Sequence, residues 1–290
     1  MNTDAPVPFP TPLVTATWLK DHLSDPDLVI LDASIARQQT GAFPYGPGVR
    51  AFRTAHIPTA HHADLFSTFS DPNGAFPFTR PGLAAMRDAC RALGIRPESR
   101  IVVYDGLNMT WAARVWWVLR AFDLDAVSVL NGGLDAWRAA GGHVETGDTE
   151  PPISGTFQPI ERPGYFVDLA YVKSVLTNGR AADLVCALRP DAFAGHGDPS
   201  PRRGHIPGSI NIPFAGTLSD GVLEPARVND AFSGLSDRRH ETILYCGGGI
   251  NAAGLALGMA AAGLPQPRIF DGSLNEWAAD PTLPMEAGAS

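Results

Sequence analysis

Cysteine is scarce in this 290-residue chain: Cys90, Cys186 and Cys246 are the only three, far apart and odd in number. No Cys-x-x-Cys pair and no Cys/His cluster at zinc spacing occurs, so the sequence implies neither a disulfide framework nor a metal, and no cofactor is expected. Such sparse thiols fit a reducing compartment. Long apolar runs are also missing: no stretch reaches the roughly 18 residues that argue a membrane span. Met1 to Pro12 carry acid and proline instead of a basic stretch followed by an apolar one, which excludes a signal-peptide reading. The expectation is a soluble, cytoplasmic protein. Basic charge is in deficit as well, and a net charge of −8 argues against nucleic acid or an anionic membrane as main partner. An anionic small substrate stays open, because the field within a site can oppose the global one. What is present describes an ordinary globular protein, 44% apolar and 18% charged. Its length is about twice that of a typical domain, which predicts two domains.

The most informative segment is Thr242-Ile243-Leu244-Tyr245-Cys246-Gly247-Gly248-Gly249-Ile250-Asn251-Ala252, followed by small residues over a helical length. A short β-like run ends on a cysteine, three glycines follow, and a helix begins. That order places a thiol at the carboxyl end of a strand, where open α/β sheets carry their chemistry. A helix N-terminus and inward-curled loop amides favour an anion there, and glycine permits the positive φ such a loop needs. The local pattern leaves two readings open, a reactive thiol or a core cysteine beside a tight turn.

The second half of the chain echoes the first. Ile101-Val102-Val103-Tyr104-Asp105-Gly106 matches Thr242 to Gly247, and Val127 to Trp137 matches Arg268 to Trp277. Upstream, His56-Ile57-Pro58 matches His205-Ile206-Pro207, and Leu28 to Ala33 matches Asp183 to Ala187. Within copy one, strands are predicted at 28–32, 101–104 and 127–130, with helices at 81–93, 110–122 and 133–140. Alternation of this kind implies an α/β fold in which a mostly parallel sheet is covered by helices on both faces. The proline- and glycine-bearing stretch 146–164 reads as a linker between a first domain, 1–145, and a second, 165–290.

With these landmarks the chain resembles the tandem-domain rhodanese family, the thiosulfate and 3-mercaptopyruvate sulfurtransferases. Phe52 to Pro58, Arg114 to Phe122, Gly204 to Gly208 and Phe270 to Trp277 carry the resemblance most specifically. It implies two tandem rhodanese-like domains of which only the C-terminal one is catalytic. Cys246 takes the position of the family's sulfur-carrying cysteine, and Asp105 takes the matching position in copy one. The implied reaction is sulfane-sulfur transfer from a small donor to a thiol or cyanide-like acceptor through a Cys246 persulfide. The amides of Gly247, Gly248, Gly249, Ile250, Asn251 and Ala252 would cradle the persulfide anion. A sulfur-relay or protein-binding module with a protein acceptor is the alternative.

The chain departs from both substrate patterns of that family. The serine of the mercaptopyruvate loop falls at Gly248 and its threonine at Asn251, while the arginine of the family's Asp-Ala-Arg motif falls at Leu188. The basic loop that suits thiosulfate is absent, so an uncharged-loop donor of the mercaptopyruvate type is expected. Arg189, Arg202 and Arg203 are the candidates to replace the missing charge. His56 maps to a histidine with a possible catalytic role, against a turn-fixing role for both His56 and His205. Trp111, Trp116, Trp117 and Trp137 lie at helical spacing and are expected in the core, with Cys90 and Cys186 buried and inert. A phosphatase of related fold would need Cys-x5-Arg, and that arginine position holds Ala252.

Overall fold

Near-continuous apolar runs such as Ile101-Val102-Val103-Tyr104 and Ile243-Leu244-Tyr245 are buried on both faces, as strands of parallel sheets are. A computed structural model of the chain describes residues 9, 12–38, 44–178, 182–196, 202–235 and 240–288. The runs assemble there into two five-stranded sheets, all of whose pairings are parallel. The first has the order Leu13–Val14, Val127–Leu130, Arg100–Tyr104, Leu28–Asp32, His61–His62. The second, taken from its other edge, runs Phe166–Val167, Arg268–Phe270, Glu241–Tyr245, Ala182–Cys186, Ile210–Asn211. Numbered along each half, both sheets have the order 1-5-4-2-3, so the repeat read in the sequence is a repeat of topology.

The edge strands, two residues each, are too short to carry a periodic signal, and only the sheets reveal them. The central elements fall within two residues of their predicted bounds, with helices at Leu83–Ala92, Thr110–Ala121 and Gly133–Ala139. Short helices at Ala16–His22 and Val49–Thr54 were not foreseen.

Two helices weld the halves together. Thr110–Ala121 is buried almost all round, as is most of Ile250–Ala261, and a helix apolar on every side belongs in an interior. The two pack on each other, and one continuous apolar core takes in Trp116, Trp117 and Val118 from the first half with Leu255, Ala256 and Leu257 from the second. Between the halves, residues 146–164 contain no helix or strand and lie along the first unit. Their backbone N–H groups donate there: Gly147 to the Arg53 carbonyl at 2.8 Å, Gly155 to Arg91 at 2.9 Å and Arg162 to Ala121 at 2.7 Å. Among the described residues no helix is long and apolar enough to cross a membrane.

Candidate active site

The strand Glu241–Tyr245 delivers Cys246 to the carboxyl edge of the second sheet, and the helix Ile250–Ala261 begins four residues later. Gly249 makes the junction at φ +80°, a left-handed conformation in which a Cβ would also stand 3.0 Å from Nη1 of Arg114. A side chain at 249 is therefore disfavoured on two counts. The Cys246 and Gly247 carbonyls accept hydrogen bonds from the N–H groups of Leu274 and Asn275, both at 2.9 Å, which pins the loop to the following unit of chain. Among the described residues the N–H groups of Gly247, Gly248 and Gly249 meet no protein acceptor, so the loop presents free donors beside the thiol.

Copy one shows what a loop of this kind does with an anion. Asp105 stands at the equivalent strand end, fully buried, and its carboxylate accepts from the N–H groups of Leu107 at 2.8 Å, Met109 at 3.1 Å and Ala112 at 2.9 Å. Burial pushes the Asp105 carboxyl above its ordinary range, while those three amides pull it back. The first loop is one residue longer, with its left-handed junction at Met109, so the two copies match in plan and not residue for residue.

A cavity of about 230 Å³ opens over Cys246. The second unit contributes Leu188, Cys246, Gly247, Gly248, Ile250, Asn251 and Asn275 to its wall. The first contributes Arg37, Tyr45, Phe78, Leu107, Asn108, Thr110 and Trp111. Each unit thus supplies half of the site. Trp111, expected only in the core, is 4% exposed and lines the cavity as well, meeting Tyr45 and Phe78 edge-on at 5.2 and 5.5 Å. No aspartate or glutamate is in the wall, and Arg37 is its one cation among the described residues.

One buried charge pair holds the first unit's wall in place. Arg114 is wholly buried, and its Nη2 donates to Oδ1 of Asp271 at 2.7 Å and to the Phe78 carbonyl at 2.6 Å. Asp271 comes from the second unit, and its Oδ2 also accepts from the backbone N–H and guanidinium of Arg80 at 3.1 and 3.2 Å. The Arg114 guanidinium lies 4.9 Å over the Phe166 ring, and its Nε and Nη1 have no hydrogen-bond partner among the described residues. Phe78 has φ +65°, a conformation that costs a non-glycine residue about 1–2 kcal/mol, and the Arg114 clamp on its carbonyl is what sustains it.

The structure places three expected substrate contacts outside the cavity. Arg189 caps the short helix Pro190–Phe193, with its side chain 73% exposed and 3.6 Å from Asp191. Arg202 turns away to the carbonyls of Asp280, at 2.6 Å, and Leu283. His56 is stacked on Phe52 at 4.1 Å, its Nδ1 2.9 Å from the Phe52 carbonyl and its Nε2 3.3 Å from the Thr149 hydroxyl. His205 repeats the device, stacked on Phe193 at 3.6 Å with Nδ1 2.8 Å from the Phe193 carbonyl. Both histidines fix turns, and neither reaches the cavity. Arg203, the third charge candidate, is also absent from its wall, as are Gly249 and Ala252 of the loop. Cys90 and Cys186 are fully buried, and burial pushes each thiol up to about 12.

The profile of the rhodanese-like domain matches residues 15–140 and 180–280. The chain belongs to the rhodanese family. It is 35% identical over 287 residues to the probable 3-mercaptopyruvate sulfurtransferase of Pseudomonas aeruginosa, covering 95% of this chain and 98% of that protein. The putative thiosulfate sulfurtransferase SseB of Mycobacterium tuberculosis is 33% identical over 251 residues, covering 84% of this chain and 87% of its own. Among solved structures, the 3-mercaptopyruvate sulfurtransferase SseA of Escherichia coli superimposes with a TM-score of 0.79 at 30% identity, over 90% of this chain and 98% of that one. Like these rhodanese relatives, the chain is a sulfurtransferase enzyme. Relatives named for different donors stand at similar identity, so the donor has to be argued from the site.

Proposed function

We propose that the chain moves a sulfane sulfur from a small organic donor of the 3-mercaptopyruvate type to a thiol or cyanide-like acceptor, with Cys246 as the sulfur carrier. The second unit, 165–290, carries the carrier loop; the first, 1–145, acts as substrate wall, and 146–164 joins them. The observation that carries this reading is a cysteine in the wall of a cavity, beside loop amides that have no acceptor of their own.

In the first half-reaction the Cys246 thiolate attacks the donor sulfur. An S–S bond forms, the carbon–sulfur bond breaks, and its electron pair stays on carbon as the enolate of the keto acid. The proton that the carbanion needs comes from the donor's own S–H, so the products are the keto acid and a Cys246 persulfide anion. An acceptor thiolate then takes the outer sulfur and returns Cys246 as a thiolate. The loop amides stabilise the persulfide without a charged side chain. Asn108, Asn251 and Asn275 offer neutral hydrogen-bonding groups to the donor's keto oxygen, and Phe78, Trp111, Leu188 and Ile250 keep water from the transfer.

Thiosulfate is the poorer fit. It is a dianion, and among the described residues the cavity holds one cation, so half its charge would lose its hydration without a partner. The test is to weigh the intact protein after exposure to each donor: 3-mercaptopyruvate should add one sulfur atom, and Cys246→Ala should add none. A protein that gains no sulfur from either donor, or gains it equally without Cys246, refutes the proposal.

A further inference from the structure

We infer that Arg37, from the first unit, is the residue that binds the donor's carboxylate and sets its preference for singly charged donors. The inference rests on the Cys246 reading above. Among the described residues the second unit offers the cavity no cation: Leu188 stands in its wall, and the neighbouring Arg189 points to solvent beside Asp191. The first unit offers one. Its sheet strand Leu28–Asp32 leads into a small antiparallel pair, Ala36–Arg37 against Tyr45–Gly46, and this pair carries both Arg37 and Tyr45 into the cavity wall.

Arg37 is exposed, and among the described residues no carboxylate lies within ion-pair distance of it. Other arginines of the chain are engaged with acids: Arg53 with Asp148, Arg80 with Asp271 and Glu161, Arg114 with Asp271, Arg268 with Glu241. A guanidinium left without a carboxylate, in a wall that has no acid, is suited to an incoming one, since its planar fork grips a carboxylate through two parallel hydrogen bonds. It also reverses locally the repulsion that a net charge of −8 imposes on an anionic substrate. One cation matches one carboxylate, so the class of donor is a thiol-bearing monocarboxylate. The reacting sulfur is then placed over Cys246 by an anchor on the opposite domain.

The experiment compares wild type, Arg37→Ala and Arg37→Lys on two donors, 3-mercaptopyruvate and its uncharged analogue mercaptoacetone, in which a methyl group replaces the carboxylate. Removing a charge-assisted hydrogen bond costs about tenfold or more in kcat/KM. Arg37→Ala should lose that factor on 3-mercaptopyruvate, chiefly through KM, and change less than twofold on mercaptoacetone, with Arg37→Lys between. Equal losses on both donors would make Arg37 a structural residue, and no loss on either would remove it from the site; each result overturns the inference. Sulfur loading of wild-type Cys246 by a saturating donor, read by intact mass, tests the Cys246 reading separately. Failure of that loading in the wild type would refute the Cys246 reading itself.

Discussion

Replacing Arg114 by methionine tests whether the buried pair with Asp271 holds the two units in their working arrangement. Removing one partner of a buried pair costs about 3–5 kcal/mol, because the other charge is left without compensation. The two partners differ here. Asp271 keeps the backbone N–H and guanidinium of Arg80 on its Oδ2 after Arg114 is gone, so Arg114→Met should fall at the low end, about 3 kcal/mol. In Asp271→Asn the wholly buried Arg114 keeps its charge with the Phe78 carbonyl, an amide oxygen and the Phe166 ring face but no carboxylate to answer it, and the cost should reach about 5 kcal/mol. The double variant Arg114→Met/Asp271→Asn should cost less than the sum of the singles. Urea unfolding followed by tryptophan fluorescence and by far-ultraviolet circular dichroism reads all three, and non-coincident curves would show the units parting before either melts. Arg114→Met should also raise KM for the donor, since the Phe78 wall loses its clamp. The reasoning fails if Arg114→Met is as stable as wild type, which would mean that the two unpartnered nitrogens of Arg114 already cancel the worth of the pair. It fails too if Asp271→Asn is the milder change.

Cys246→Ser should abolish turnover, while Cys90→Ser and Cys186→Ser should leave it within a few-fold; native protein at neutral pH should take one iodoacetamide label, located by peptide mapping at Cys246. With the Cys90 and Cys186 thiols held up to about 12 by burial, against 9.0 for the free group, unfolding releases protons that folding retains. Their contribution to stability is complete below pH 9 and is lost as pH rises toward 12, by roughly 1 kcal/mol per thiol at pH 10, and the alkaline slope of the urea midpoint should flatten in a Cys90→Ala/Cys186→Ala variant. Gly249→Ala should destabilise by about 1–2 kcal/mol and lose activity, because φ is +80° and Arg114 blocks the new methyl, whereas Gly247→Ala meets no heavy atom within 4 Å and should be tolerated. Gly247→Arg adds a second cation in that open space and should raise the thiosulfate-to-mercaptopyruvate ratio of kcat/KM; an unchanged ratio would show that cavity charge does not select the donor.

The fold was legible because its central strands are long enough to bury apolar runs and because the repeat doubled each signal. Tyr104-Asp105 and Tyr245-Cys246 end equivalent strands, and the hydroxyls of Tyr104 and Tyr245 even accept the same bond, from the backbone N–H of Ile57 at 2.9 Å and of Ile206 at 3.0 Å. The position of Cys246 was legible for the same reason. The cavity was not. Its far wall comes from residues about 140 to 210 positions away, and nothing local in Ala36-Arg37 or Phe76-Pro77-Phe78 marks them as facing Cys246. The arginines singled out in the sequence came from the segment that the family resemblance brings toward the loop, but their side chains lie elsewhere: Arg189 faces solvent and Arg202 secures the carbonyls of 280 and 283. Trp111 is in the core as expected, and one face of its helix also forms part of the cavity wall.

The two copies show how one loop design separates into a wall and a site. In both, a strand ends in a loop with a left-handed junction before a central helix, and N–H groups accumulate at its mouth. In the first copy the anion is built in. Asp105 satisfies the amides permanently, which closes that loop to any ligand and frees its outer residues, Leu107, Asn108 and Thr110, to face the neighbouring unit. In the second copy the loop side chains are reduced to hydrogen, the amides are left unanswered, and the anion has to be made on Cys246 or brought by a donor. On the proposed reading the positive charge of Arg37, across the cleft, acts on the donor's carboxylate while a persulfide on Cys246 faces only neutral dipoles. The division explains why a domain with no nucleophile is retained in the site: it supplies the charge, the aromatic wall and, through Arg114, the alignment that the nucleophilic domain lacks.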